Sequence, residues 1–146
     1  MKFTDNKRNF LSNMFNSKFK DSIYTNLEFS SMEHFYQSMK YFIPKTTNYL
    51  QHIENIRKIK NADDVKLYTK AYPHLCSNFC NIKDVVMKNG LILKFHQNNN
   101  IKQKLLKTKG KITAEIEDSY WGIGKDKKGK NRLGEILEEV RNELKI

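Results

Sequence analysis

The sequence predicts one compact α+β domain that is rich in helix and holds a small sheet. Its 146 residues are enough for a single domain with a substantial core. Apolar side chains recur at helical spacing through most of the chain after residue 30, whereas short alternating stretches precede it. Only Pro44 and Pro73 punctuate the chain, and no linker or internal repeat is visible. We therefore expect residues 1–146 to form one domain.

Two short strands and a first helix are expected near the N-terminus. Residues 18–20 and 24–29 partly alternate apolar and polar side chains, as half-buried strands do. The serines at positions 30 and 31 favour a helix start, and Pro44 requires that helix to end by about Phe42.

Further helices are predicted over 46–60, from a cap at Asn61 to about Ala71, and over 81–96. Four apolar residues of the last of these are expected to face the core: Ile82, Val85, Val86 and Leu93. Gly90 weakens that prediction, because glycine disfavours a helix interior.

The chain is predicted to end in a strongly amphipathic helix. A short helix carrying Leu105 and Leu106 and a strand over 111–115 are expected before it. Five apolar residues then follow helical spacing and define a buried face: Leu133, Ile136, Leu137, Val140 and Leu144.

The formal net charge of +11 predicts a field that attracts anionic ligands. It arises from 23 Lys against only 4 Arg, scattered along the chain. This bias is more typical of compositional drift than of a surface shaped for phosphate, so a solvated lysine coat is the alternative.

The first residues contain no apolar signal core and no apolar run could cross a membrane, so a cytoplasmic location is expected. Cys76 and Cys80 are expected to be free thiols. Metal-ligand spacing is absent, and we expect a reaction that uses neither a metal nor a cofactor.

A cluster of aromatic, glycine and basic residues lies between 118 and 134, with the only Trp and four of the six Gly residues. Trp121 offers a face for stacking, and Gly122 and Gly124 let backbone N–H groups approach a ligand. Three basic residues are expected to hold phosphate: Lys128, Lys130 and Arg132. A surface turn leading into the last helix is the alternative.

A second polar cluster lies on the predicted first helix, where Glu33, Gln37 and Lys40 fall on one face. A carboxylate, an amide and an amine aligned in this way could form an acid–base site. The alternative for Glu33 is a capping box with Ser30, in which its carboxylate bonds back to the cap. Tyr36 is expected to be a core residue.

Taken in order, the two clusters resemble the motifs of the NADAR superfamily over about residues 9–144. The resemblance rests on Phe10 to Asn13; on Ser31, Glu33, His34, Gln37 and Lys40; on Asp118, Trp121, Gly122 and Gly124; and on Gly129, Asn131, Leu133, Gly134, Leu137 and Arg141. That family includes an N-glycosidase of early riboflavin-pathway intermediates and hydrolases that remove ADP-ribose from guanine.

The resemblance implies a helix-rich α+β fold and cleavage of the N-glycosidic bond between a phosphorylated ribose and a base. It implies that Glu33 is the acidic catalytic residue, and we add Lys40 and Asp118 as catalytic candidates. The substrate-binding candidates are Asn13, Gln37, Phe79, Trp121, Gly122, Gly124, Lys128, Lys130, Asn131 and Arg132.

The chain departs from the family pattern at two positions and in two segments, one of which, residues 115–118, is about two residues shorter than in the family. Phe79 stands where a Trp is usual, and Cys76 stands where many members have Arg. Residues 44–73 match poorly, so contacts that select the substrate are expected there.

Hydrolysis of an N-ribosyl bond builds positive charge on the sugar and negative charge on the leaving nitrogen. The carboxylate of Glu33 suits stabilisation of the positive charge on the sugar, and Lys40 suits donation of a proton to the leaving nitrogen. The expected partner is a ribosyl or ADP-ribosyl substrate with phosphate groups, and nucleic acid is a candidate carrier. Modules that bind nucleic acid, ADP-ribose or NAD without catalysis are the alternatives; they would have no need of Glu33.

Overall fold

The computed structural model describes residues 1–74 and 77–145, and these form a helix-rich α+β fold with very short strands. The strands are β1 (Lys2–Phe3), β2 (Asn16–Lys20), β3 (Glu28–Ser31) and β4 (Thr113–Ala114). The helices are α1 (Met32–Phe42), α2 (Tyr49–Lys58), α3 (Val65–Ala71), α4 (Ser77–Gln97), α5 (Asn99–Lys107) and α6 (Arg132–Leu144), with a 3₁₀ turn at Ala62–Asp64 before α3.

The strands form two separate pairs rather than one sheet. In the antiparallel pair of β2 and β3, Phe19 lies opposite Phe29, and both side chains are buried. In the second pair β1 runs parallel to β4, with Phe3 opposite Ala114. The predicted strand near 111–115 is therefore present, while its partner β1 is too short to have been recognised from the sequence.

Helix α1 is the central element, because it packs against α2, α3, α4 and β3. Its buried residues run almost without a break from Met32 to Tyr41. Apolar members such as Phe35 and Met39 join the main core with residues from α4 and α6. The polar residues Glu33 and Gln37 share this burial, which is unusual for charged and amide side chains unless they have partners.

Ser31 caps α1, and this excludes the alternative for Glu33, a capping box with Ser30. The Ser31 hydroxyl accepts a hydrogen bond from the backbone N–H of His34 at 3.2 Å and also contacts the His34 ring nitrogen at 2.7 Å. The position that would close a capping box is therefore occupied by His34. The Glu33 carboxylate points elsewhere and accepts a hydrogen bond from Gln37.

Helix α4 is longer than predicted, and its buried face is different. Val86 and Leu93 are buried as expected, but Ile82 and Val85 are 37% and 56% exposed, so the prediction for those two was wrong. Gly90 belongs to the buried face, because a Cβ there would lie 2.5 Å from the Met32 side chain. The residue that weakened the helix prediction thus permits close packing of α4 on α1.

Cys80 is disulfide-bonded, which contradicts the expectation of a free thiol there, and Cys76 lies outside the described residues. None of the described helices combines the length and the apolar character needed to span a membrane.

Candidate functional site

A cavity of about 670 Å³ lies where α1, α3 and the segment 116–121 meet. This volume is typical of sites that take small molecules. Six of the residues selected from the sequence line it: Asn13, Glu33, Gln37, Lys40, Asp118 and Trp121. The N-terminal cluster and the first half of the C-terminal cluster therefore meet at one site, although 78 residues separate Lys40 from Asp118 in the chain.

Glu33 is a buried carboxylate at this cavity, with only 3% of its surface exposed. The side-chain amide of Gln37 donates a hydrogen bond of 2.6 Å to its Oε1 atom. Burial raises the pKa of Glu33 above its usual value, while Lys66, Gln37 and Lys40 act in the opposite direction. A carboxyl group in this state gains affinity for a proton, as a general base or acid requires.

Lys40 lies two helical turns after Glu33, at about 10 Å along the axis of α1. Burial lowers the pKa of its amine, although the charge of Glu33 opposes this shift. Its Nζ atom lies 5.6 Å from the centre of the Tyr36 ring. The same cavity therefore holds an acid whose proton is bound more tightly and an amine whose proton is released more easily than usual.

Two buried amide oxygens at the cavity accept no hydrogen bond from the described residues. They are Oδ1 of Asn13 and Oε1 of Gln37, on side chains that are 8% and 3% exposed. A buried acceptor without a partner costs stability. Because both residues line the cavity, hydroxyl or amine groups of a ligand would satisfy these oxygens.

Trp121 and Tyr36 form the aromatic wall of the cavity. Their rings pack edge to face with centres 5.6 Å apart, and the Tyr120 ring also packs edge to face on Trp121, with centres 4.9 Å apart. Tyr36 is buried, as expected, but it also lines the cavity. Phe79 does not line it; this ring lies behind Tyr36 at 5.2 Å and supports that ring instead of meeting a ligand.

Asp118 lines the cavity and also shapes the turn that carries Trp121. Its Oδ1 atom accepts hydrogen bonds of 2.8 Å from the backbone N–H groups of both Tyr120 and Trp121. An aspartate that bonds to its own backbone two and three residues later is a common way to fix a turn. These contacts give Asp118 a structural role in addition to its position at the site.

The basic residues predicted to hold phosphate do not line the cavity. Arg132 pairs with Asp84 at 2.8 Å, and Asp84 also accepts a hydrogen bond from the Tyr120 hydroxyl. Lys130 lies 5.4 Å from the centre of the Tyr120 ring, while Lys128 is exposed. Arg132 thus joins its segment to α4, because Asp84 offers an opposite charge that nothing in the local sequence indicated.

Asn131, Gly122 and Gly124 also stand apart from the cavity, for structural reasons. The Asn131 side chain accepts from the N–H of Ala114 and donates to the carbonyl of Ile112, so it joins β4 to the start of α6. A Cβ at position 122 would collide with Ile116, and Gly124 has a φ of +74°. These residues build the loop whose other end reaches the cavity.

Sequence reasoning missed three cavity residues on α3. Lys66, Thr69 and Lys70 fall at spacing i, i+3 and i+4, which is one helix face, and all three line the cavity. They belong to the segment 44–73, where contacts that select the substrate were expected. Their spacing was visible in the sequence, but nothing local indicated that α3 would pack beside α1.

Among the described residues, no group of three or more His, Cys, Asp or Glu side chains is arranged to hold a metal ion.

The model of the NADAR domain family matches residues 1–145. The N-glycosidase YbiA of Escherichia coli strain K12 is 33% identical over 117 residues, which cover 78% of this chain and 69% of that protein. The N-glycosidase Npun_R5314 of Nostoc punctiforme is 29% identical over 118 residues, covering 80% and 74%.

The solution structure of YbiA from E. coli superposes with a TM-score of 0.76 at 26% identity, covering 99% of this chain and 85% of that one. The family model, the two relatives and the superposed structure all indicate the same family. The chain belongs to the NADAR domain family, and it is a hydrolase of N-glycosyl bonds.

Proposed function

We propose that this N-glycosidase hydrolyses the bond between C1′ of a phosphorylated ribose and the nitrogen of a base or base-like amine. The observation that carries this proposal is the buried Glu33 carboxylate, which lines the cavity together with the half-buried Lys40 of the same helix. A cavity that only bound an anionic sugar phosphate would gain nothing from a buried carboxylate.

In the proposed reaction Glu33 accepts a proton from water as the water oxygen bonds to C1′. The bond between C1′ and the base nitrogen breaks, and the nitrogen keeps the electron pair. Lys40 then donates a proton to that nitrogen. The raised pKa of Glu33 and the lowered pKa of Lys40 favour these two transfers, because each group is shifted toward the working pH.

The remaining cavity residues suit the rest of such a substrate. The unpaired oxygens of Asn13 and Gln37 would accept hydrogen bonds from the ribose hydroxyls. The exposed part of the Trp121 ring would stack on the base or the sugar. Asp118 holds the turn that presents this ring, so we assign it a positioning role beside any direct contact with the substrate.

Two substrates share this chemistry, and one observation favours each. A ribosylaminopyrimidine phosphate of riboflavin synthesis is favoured by a further relative, the riboflavin biosynthesis protein PYRR of Zea mays. It is 27% identical over 121 residues, which cover 78% of this chain and 19% of that protein. ADP-ribose linked to guanine in nucleic acid is favoured by the net charge of +11, which would draw a polyanion to the protein. Of the two, we propose ADP-ribose linked to guanine as the substrate.

The test is a turnover screen of both substrates, in which the released base and the ribose product are identified by mass spectrometry. Release of the base with water added at the ribose is expected for at least one of them. Absence of cleavage for every N-ribosyl phosphate in the screen would reject the proposal. If the oligonucleotide substrate is cleaved, its rate should fall steeply between low and moderate salt, because neutralised phosphates make binding depend on salt.

A further inference from the structure

We infer that the phosphate end of the substrate lies against α3, where Lys66 and Lys70 bind it, and that this face of α3 gives the enzyme its preference for phosphorylated substrates. This inference rests on the proposed function and names a subsite within the same cavity. It assigns the phosphate contact to α3 instead of the segment 128–132.

The first support is the placement of positive charge. Lys66 and Lys70 are one helical turn apart on the face of α3 that lines the cavity. Thr69, between them, is 8% exposed and donates its hydroxyl proton to the Lys66 carbonyl at 3.0 Å, so its hydroxyl is already paired within α3. Two amines set side by side on one wall can bind two oxygens of one phosphate group.

The second support is that the charge of Lys66 reaches the reacting centre. Among the charged groups that shift the pKa of Glu33, Lys66 has the largest effect, and its charge also lowers the pKa of Lys40. Lys66 pairs with Asp5 at 3.7 Å, a long and partly exposed contact that a phosphate could replace. The Lys66 amine is thus close enough to hold a group that is joined to the reacting ribose, and Lys70 lines the same cavity one turn later.

The third support is the opposite charge at the other part of the cavity. The segment with Trp121 contributes the carboxylates of Glu117 and Asp118 to the lining. A phosphate beside them would be repelled, whereas a neutral base is not. The lining therefore carries two amines on α3, of which Lys66 pairs with Asp5, and two carboxylates in the segment with Trp121. This difference in charge would orient the substrate with its base toward Trp121.

The experiment compares Lys66→Gln/Lys70→Gln with an exposed control pair on and after α5, Lys107→Gln/Lys109→Gln, which removes the same charge. Values of kcat and KM are measured for one substrate with and without its 5′-phosphate. We expect the α3 variant to lose about tenfold or more of the preference for the phosphorylated form, mostly through KM, because charged hydrogen bonds contribute in this range and the phosphate does not react. The control pair should keep the wild-type preference.

A third variant, Lys128→Gln/Lys130→Gln, tests the competing segment. If its preference for phosphate disappears while that of the α3 variant persists, the inference is overturned. Binding of ribose 5-phosphate, measured by calorimetry, tests the phosphate subsite on α3 without relying on turnover. Binding by the wild type that weakens about tenfold or more in the α3 variant supports the subsite, and equal binding or no binding by the wild type rejects it. A wild type that binds ribose 5-phosphate yet cleaves nothing would reject the proposed function alone.

Discussion

The side-chain amide of Gln37 donates a 2.6 Å hydrogen bond to the carboxylate of Glu33, one turn earlier on the buried helix α1. Both side chains are 3% exposed, so water does not compete freely for this contact. The bond fixes the direction of the carboxylate and favours its ionised form, whereas burial favours the protonated form. The proton affinity of the proposed catalytic group is set by the balance between these two effects.

Replacing Glu33 with Gln should abolish turnover while the domain stays folded. The amide keeps the size of the side chain but can neither accept the proton of water nor balance the positive charge on the sugar. A catalytic carboxylate of this kind contributes on the order of 10² to 10⁴ in rate. Steady-state kinetics and a circular dichroism spectrum of the same sample check both parts.

Ser31→Ala is the matched control for that variant, because it removes the observed cap of α1 without touching the carboxylate. We expect it to lose about 1 kcal/mol of stability and to keep its turnover. Unchanged activity in Glu33→Gln would reject the catalytic assignment.

Replacing Gln37 with Met should move the acidic limb of the pH–rate profile to higher pH. Methionine has a similar length but donates no hydrogen bond, so the ionised form of Glu33 loses a stabilising partner and its pKa rises further. Activity that depends on the carboxylate is then lost at a higher pH as the solution is acidified. The same substitution at Gln51, an exposed residue of α2, should leave the acidic limb in place. An acidic limb that is unchanged or moves to lower pH in Gln37→Met would contradict the assignment.

Helices α1 and α6 could be predicted from the sequence because the signals that define them are local. Ser31 and the residues up to Phe42 contain a cap, a helical pattern and a stop, and α6 has apolar residues at helical spacing. The clusters around Glu33 and Trp121 were expected to line one pocket because polar and glycine-rich residues interrupt the apolar pattern at these two places, and both residues line the cavity.

The features that could not be predicted depend on pairs that lie far apart in the chain. Arg132 was assigned to phosphate because its partner Asp84 lies 48 residues earlier and leaves no local pattern. Strand β1 has two residues and exists only because β4 pairs with it. In the sequence, Lys66 and Lys70 are indistinguishable from the lysines of a solvated helix face. They line the cavity because α3 packs beside α1.

Glu33→Gln should also be more stable than the wild type at neutral pH. The pKa of Glu33 is raised in the folded protein, so the folded state holds its proton more tightly than the unfolded state does. Wild-type stability therefore falls as the pH rises from the ordinary glutamate value of 4.5 through the folded pKa. The difference in Tm between variant and wild type should be small below that value and grow toward neutrality. A difference that shrinks over this range would contradict the raised pKa.

Lys94→Met should change how stability depends on pH at the alkaline side. Lys94 is fully buried, and its amine donates to the carbonyls of Phe10 and Ser12 at 2.8 and 3.0 Å, which holds the loop that carries Asn13. Burial lowers the pKa of this amine to about 7, against an ordinary value of 10.5. Between these two values the unfolded chain binds the proton and the folded protein releases it.

Wild-type stability should therefore rise relative to Lys94→Met as the pH increases from about 7 to 10, with a slope approaching about 1.4 kcal/mol per pH unit. Below that range the charged amine is buried at its full cost. Denaturant unfolding of both proteins at several pH values measures the difference, and Lys107→Met, on the exposed face of α5, should show no such trend. A constant difference between wild type and Lys94→Met across the range would mean that the amine stays charged in the folded protein, held by the two carbonyls.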